Sequence, residues 1–181
     1  MVTDLRIVKT RKAIREAFLH LRASGVPVSK VKVKDICDLA LVNPSTFYKH
    51  YLDVYDLNDN LEDETIDAML EHYPDKDKIL SDPPAFLNGW RPAIDSQIDD
   101  LRVLFAGRPE AMFRKIESTL VERYSARAAN ERERIAAVFS IAGALHSLGL
   151  LKLEGGQSDD EIIAAVVENL NAIAARIPDG R

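Results

Sequence analysis

Residues 33–51 read Val33-Lys34-Asp35-Ile36-Cys37-Asp38-Leu39-Ala40-Leu41-Val42-Asn43-Pro44-Ser45-Thr46-Phe47-Tyr48-Lys49-His50-Tyr51. Val33, Ile36, Cys37 and Ala40 recur at helical spacing, so the first part predicts a short helix over about 33–40. Leu41-Val42-Asn43 predicts a tight turn. Asn43 is a favoured N-cap, and Pro44 suits the first helical position because no backbone bond is lost there. A second helix is therefore predicted over 44–51. Two short helices on a three-residue turn make a helix-turn-helix. Ile36, Ala40, Val42 and Phe47 would hold the pair together. Pro44 and Ser45 at the start, then Thr46, Tyr48, Lys49 and His50, would be left facing outward. Short or flat hydrogen-bonding side chains with one cation suit base edges and phosphates in a major groove.

Before this stretch, Ile14, Ala17, Phe18 and Leu21 form a helical stripe that Gly25 and Pro27 end. After it, Leu57, Leu61, Ile66, Met69 and Leu70 predict a helix over about 54–73, and 74–84 a loop. A helix from near Pro83 meets Pro92, which cannot donate to the Asn88 carbonyl, so a kink or restart is expected there. Ile94, Ile98, Leu101 and Phe105 make one stripe beyond it. After Gly107-Arg108-Pro109 the pattern resumes over 110–128 with Phe113, Ile116, Leu120 and Tyr124. Residues 131–153 show two apolar faces: Ile135, Phe139, Ala142, Leu145 and Gly149, and Ala137, Ile141, Ala144, Leu148 and Leu151. Gly155-Gly156 predicts a turn. Ser158 and Glu161 predict a capping box for a last helix carrying Ile162, Ile163, Val166, Val167, Leu170, Ile173, Ala174 and Ile177. Helices apolar on more than one face need more than one cover, and in a chain this small the second cover is expected to be another copy.

No alternating strand pattern occurs, so the expected fold is all-α. An N-terminal three-helix helix-turn-helix domain, 1–52, is expected to precede a C-terminal helical bundle domain, 53–181, with its dimer interface in the last two helices.

Charge is divided in the same way. The 181 residues carry a net charge of −5, but residues 1–52 hold ten Lys/Arg against four acids, and the remainder holds 14 against 25. A basic head on an acidic body favours binding to double-stranded DNA, because the local field at the phosphates decides. The single cysteine, Cys37, excludes an internal disulfide and fits a reducing cytosol, hence a cytoplasmic location. The start, MVTDLRIVKTRKAIREAF, lacks the apolar core of a signal peptide. The uncharged run 135–151 reads as a soluble helix covered on most sides and not as a membrane span, since it is short and holds Ser140, His146 and Ser147. No catalytic or metal-ligand spacing occurs: His50 has no nucleophile or acidic partner at a supporting distance in sequence. The chain is therefore expected to be neither an enzyme nor a cofactor or metal protein.

Val-Lys-Asp-Ile-Cys, then Ala-Leu-Val-Asn, then Ser-Thr-Phe-Tyr-Lys-His-Tyr resembles the signature of the TetR family of transcriptional regulators over about Thr10–Tyr51. The resemblance implies a homodimer whose recognition helices read a palindromic operator, repression being the common mode. It places Thr46, Tyr48, Lys49 and His50 at DNA-contact positions, with Pro44 and Ser45 at the exposed helix start and Lys32 and Lys34 available to phosphates. It also implies a C-terminal pocket for a small-molecule effector, for which Phe86, Trp90, Met112, Phe113, Tyr124, Phe139 and His146 are the candidate lining residues. An alternative within the same resemblance is a co-activator that works through a protein partner. Three positions depart from the family pattern. Leu41 stands where glycine is usual, Lys32 where a threonine or serine cap is usual, and the acidic Asp53-Val54-Tyr55-Asp56 where a lysine opens the linking helix.

Overall fold

The computed structural model describes residues 5–154 and 158–176, with side chains described throughout these except at 149–154 and 159. Nine α-helices are present among the described residues: α1 Leu5–Ala23, α2 Val33–Ala40, α3 Pro44–Phe47, α4 Val54–Glu71, α5 Pro83–Asp95, α6 Ile98–Leu104, α7 Pro109–Ser125, α8 Glu131–Glu154 and α9 Asp159–Ala174. A single 3-10 turn, Val28–Lys30, separates α1 from α2. No strand occurs among the described residues, as the absence of alternation predicts. The expected Gly155-Gly156 turn, Ile177 and the side chains of Gly149 and Leu151 lie outside the described residues.

The chain divides into two compact units, Met1–Asp67 with Ile98–Ala106, and Ala68–Gln97 with Gly107–Arg181. The first unit thus reaches past residue 52, taking most of α4 and the whole of α6. In it, α1 packs on α2 and on α6, burying Ile14, Ala17, Phe18, Ile36, Cys37 and Leu101. Arg22 fastens α6 to the end of α1. Its guanidinium, on a residue only 7% exposed, donates to Val26 O at 2.8 Å and Val103 O at 3.1 Å. Carbonyls at a helix end have no partner within the helix, so a buried arginine that satisfies them replaces water there.

Pro92 does not break α5 where it stands. The helix carries it in its last turn and ends at Asp95, and the chain restarts at Ile98. The expected stripe Ile94, Ile98, Leu101 and Phe105 is therefore not one helix face: Ile94 belongs to the second unit and Leu101 and Phe105 are buried in the first. Periodicity continues across a two-residue break without registering it. At the start of α5, Asp82 Oδ1 accepts the Ala85 N–H at 3.2 Å, a side-chain cap ahead of Pro83.

In the second unit, Tyr73, Phe86 and Trp90 form a buried aromatic cluster, with Tyr73 centroids 5.4 Å from Phe86 and 6.3 Å from Trp90. The Tyr73 hydroxyl donates to Phe86 O, and burial raises its pKa so that it stays protonated. Gly89 makes room for this ring, because a Cβ there would come within 2.6 Å of it. Around this cluster α7 packs on α8, α8 on α9 and α5 on α9. The capping box at α9 is formed: Ser158 Oγ accepts Glu161 N–H and Glu161 accepts Ser158 N–H.

Candidate nucleic-acid interface

The two helices and turn expected at 33–51 are present, and Phe47 is the wedge between them, fully buried. Asn43 holds the N-cap position of α3 with extended dihedrals, but its side chain makes no capping bond. The helix is shorter than the expected 44–51. Regular α-helix ends at Phe47, after which Lys49 N–H bonds to Thr46 O at 3.2 Å and His50 N–H to Phe47 O at 2.9 Å, the i→i−3 pattern of a tightened last turn. Ring packing explains where this turn points. Phe47 meets Tyr48 edge-on at 5.5 Å and Tyr51 at 5.7 Å, and His50 lies 6.3 Å from Tyr51.

The result is an ordered presentation of side chains. Pro44, Ser45, Tyr48 and Lys49 are exposed, while Thr46 and His50 are half-buried. Lys32 and Lys34 are exposed at the start of α2, which has no side-chain cap from Lys32. Their charge is available. Lys9, Lys30, Lys32, Lys34 and Lys49 are all exposed and make no ion pair among the described residues.

The arginines of α1 behave differently. Arg11 pairs with Glu64 of α4, and its guanidinium sits 5.9 Å from the Tyr51 ring centroid. Arg15 reaches Glu64 at 3.5 Å, Thr65 Oγ1 at 3.3 Å, and Asp100 of α6. These partners lie 49 to 85 residues away in sequence. The pairs bind α1, α4 and α6 together and remove two of the ten N-terminal cations from the free positive field. The buried Tyr51 hydroxyl has its pKa raised by desolvation, with Arg11 opposing. It stays neutral beside Arg11.

The acidic opening of α4 has a structural use. Asp53 Oδ1 accepts the Asp56 N–H at 2.8 Å, and Asp56 Oδ2 accepts the Leu52 N–H at 2.8 Å. Free N–H groups at a helix start would favour a phosphate; here the chain's own carboxylates take those of Leu52 and Asp56.

Leu41 adopts φ 55°, ψ 41°, the left-handed conformation, and is 92% exposed. Leu52 is 81% exposed and Tyr55 57%. Neither was singled out by sequence reasoning for contact, because apolar periodicity assigns such residues to a core by default.

The candidate effector residues are dispersed. Phe86 and Trp90 are consumed by the cluster with Tyr73. Met112, Phe113 and Tyr124 are half-buried on α7, and His146 is exposed on α8. Phe139 is 68% exposed and borders a groove between α8 and α9. Of the two expected α8 faces, Ala137, Ile141 and Ala144 of one are buried, and the other is divided: Leu145 is buried, whereas Ile135 and Phe139 stand in solvent. No cluster of His, Cys, Asp or Glu among the described residues has the makings of a metal site, and none of their helices is long and apolar enough to cross a membrane. No family model, curated protein or solved structure matches the chain.

Proposed function

We propose that the chain is a homodimeric, TetR-like DNA-binding transcriptional regulator. The observation that carries this reading is the head itself. Two short helices on a three-residue turn present Ser45, Tyr48 and Lys49 outward, with unpaired lysines at 32, 34 and 49 around them. Exposed hydroxyl and phenol groups at one helix end suit base edges and sugar-phosphate, and the unpaired cations supply the non-specific attraction. One such unit reads only a few base pairs, so two copies on a palindromic site are needed for useful specificity. The solvent-facing Ile135 and Phe139 of α8 are where the second copy would pack alongside α9. An effector in the C-terminal unit would act by shifting the balance between DNA-fitting and non-fitting states, with repression as the default mode.

The test is selection of bound DNA from a random pool, followed by titration at rising salt. A palindromic consensus and a steep salt slope are expected; recovery of no preferred sequence and a flat salt response would defeat the proposal.

A second reading, co-activation through a protein partner, is favoured by one feature of the same head. Leu41, Leu52 and Tyr55 are large apolar residues left in solvent, and Asp53 and Asp56 beside them would repel phosphates. Co-purification of a specific second protein, abolished by Leu52→Asp, would select this reading over the first.

A further inference from the structure

We propose that Arg11 of α1 is a positioning residue for base recognition: acting through Tyr51, it sets the direction in which the recognition turn presents Thr46 and His50. Those two side chains matter only if the head reads DNA, so this inference rests on the regulator reading. The turn has little stiffness of its own. α3 is four residues long, Pro44–Phe47, too short to be stable by itself. The bonds that follow it include Lys49 N–H to Thr46 O and His50 N–H to Phe47 O, both i→i−3, a pattern with poorer geometry than the α-helix. What the turn packs against therefore decides how it stands. Phe47, fully buried, anchors its start. Tyr51, 3% exposed, anchors its end, with its ring 5.7 Å from Phe47 and 6.3 Å from His50.

Arg11 bears on that second anchor. Its guanidinium lies 5.9 Å from the Tyr51 ring centroid. Burial raises the pKa of the Tyr51 hydroxyl, and the chief opposition comes from Arg11 at that hydroxyl. Arg11 is itself held from the far side. Its Nη2 donates to Glu64 Oε1 of α4, while Arg15 Nη1 takes Oε2 of the same carboxylate at 3.5 Å. Arg15 in turn reaches Thr65 Oγ1 at 3.3 Å and pairs with Asp100 of α6. A lone surface ion pair fixes little; a carboxylate shared by two guanidiniums, one of them tied down again, fixes direction as well as charge. Tyr51 thus meets a group braced from α4. A lysine ammonium would supply the same charge, but not the planar fork that lets one group face Glu64 and Tyr51 together.

The experiment compares the full chain with Arg11→Lys, which keeps the charge, and Tyr51→Phe, which keeps the buried ring. Each is titrated against the selected DNA site and its single-base variants at several salt concentrations. Both should relax preference by about tenfold at the base pairs read by Thr46 and His50, with the slope of log affinity against log salt unchanged. The double variant should be no worse than either single one, because both remove the same contact. In the free protein, amide hydrogen exchange at Lys49 and His50 should quicken by about tenfold in each variant, while Ile36 of α2 stays as in wild type. Wild-type preference in Arg11→Lys, together with a salt slope lowered by about one unit in Arg11→Gln, would make Arg11 a plain phosphate contact and overturn the proposal. Additive losses in the double variant, or exchange at His50 as slow as in wild type, would overturn it as well. Quickened exchange without any selectable DNA site would leave the positioning of the turn standing and defeat the regulator reading alone.

Discussion

Replacing Leu41 by glycine should make the protein more stable, and the magnitude follows from three terms. Leu41 closes α2 at φ 55° and ψ 41°, where a Cβ costs roughly 1–2 kcal/mol. Glycine removes that cost but gains freedom in the unfolded chain, which returns about 0.5–1 kcal/mol. The third term, lost burial, is close to zero because the side chain is 92% exposed. The backbone bond that closes the turn, Val42 N–H to Cys37 O at 3.0 Å, needs no side chain. The net expectation is a gain of about 0.5–1 kcal/mol, a shift of roughly 1–4 °C in Tm for a chain of this size. Urea titration followed by circular dichroism measures it, with an unchanged slope showing that the same transition is observed. Leu41→Ala is the control: it keeps the Cβ and should leave stability within about 0.5 kcal/mol. If alanine stabilises as much as glycine, the gain comes from removing exposed apolar surface and the strain argument fails. A glycine variant less stable than wild type would refute it outright.

Lys34→Ala and Lys49→Ala should each lower the slope of log affinity against log salt by about one unit while leaving base preference alone. Tyr48→Phe should weaken all sequences about equally, whereas Thr46→Ala or His50→Ala should cost about 1–3 kcal/mol at particular base pairs; titration against single-base operator variants distinguishes them. Asp53→Asn keeps the α4 cap, since asparagine caps about as well as aspartate, and removes a charge that repels phosphate; unchanged stability with tighter DNA binding at low salt is expected in filter-binding titrations. Arg22→Met should destabilise by about 2–4 kcal/mol in urea unfolding, because the Val26 and Val103 carbonyls lose their partner under burial. Phe139→Arg should give a folded monomer by sedimentation, since the side chain is mostly in solvent already; a dimer that persists in this variant would remove α8 from the interface.

Local chemistry determined the helices. Gly25 and Pro27 ended α1 near Ala23, and Ser158 with Glu161 started α9 in a capping box, because caps and breakers act within four residues and are written in order along the chain. The buried wedge Phe47 and the exposed Ser45, Tyr48 and Lys49 also followed from helical spacing alone. Long-range partnership was not legible. Nothing in the spacing shows that Arg11 and Arg15 are engaged by Glu64 and Asp100, so two of the cations counted toward a basic head belong to its internal bracing. The break at Ser96–Gln97 that gives α6 to the first unit leaves no trace in a periodic stripe. Trp90 and Phe86, plausible as pocket residues by size, are packed with Tyr73. Sequence spacing fixes which face of a helix a residue occupies. Only the tertiary arrangement decides what lies across from that face, because a charge or a ring is neutralised or buried by neighbours that the chain brings from far away.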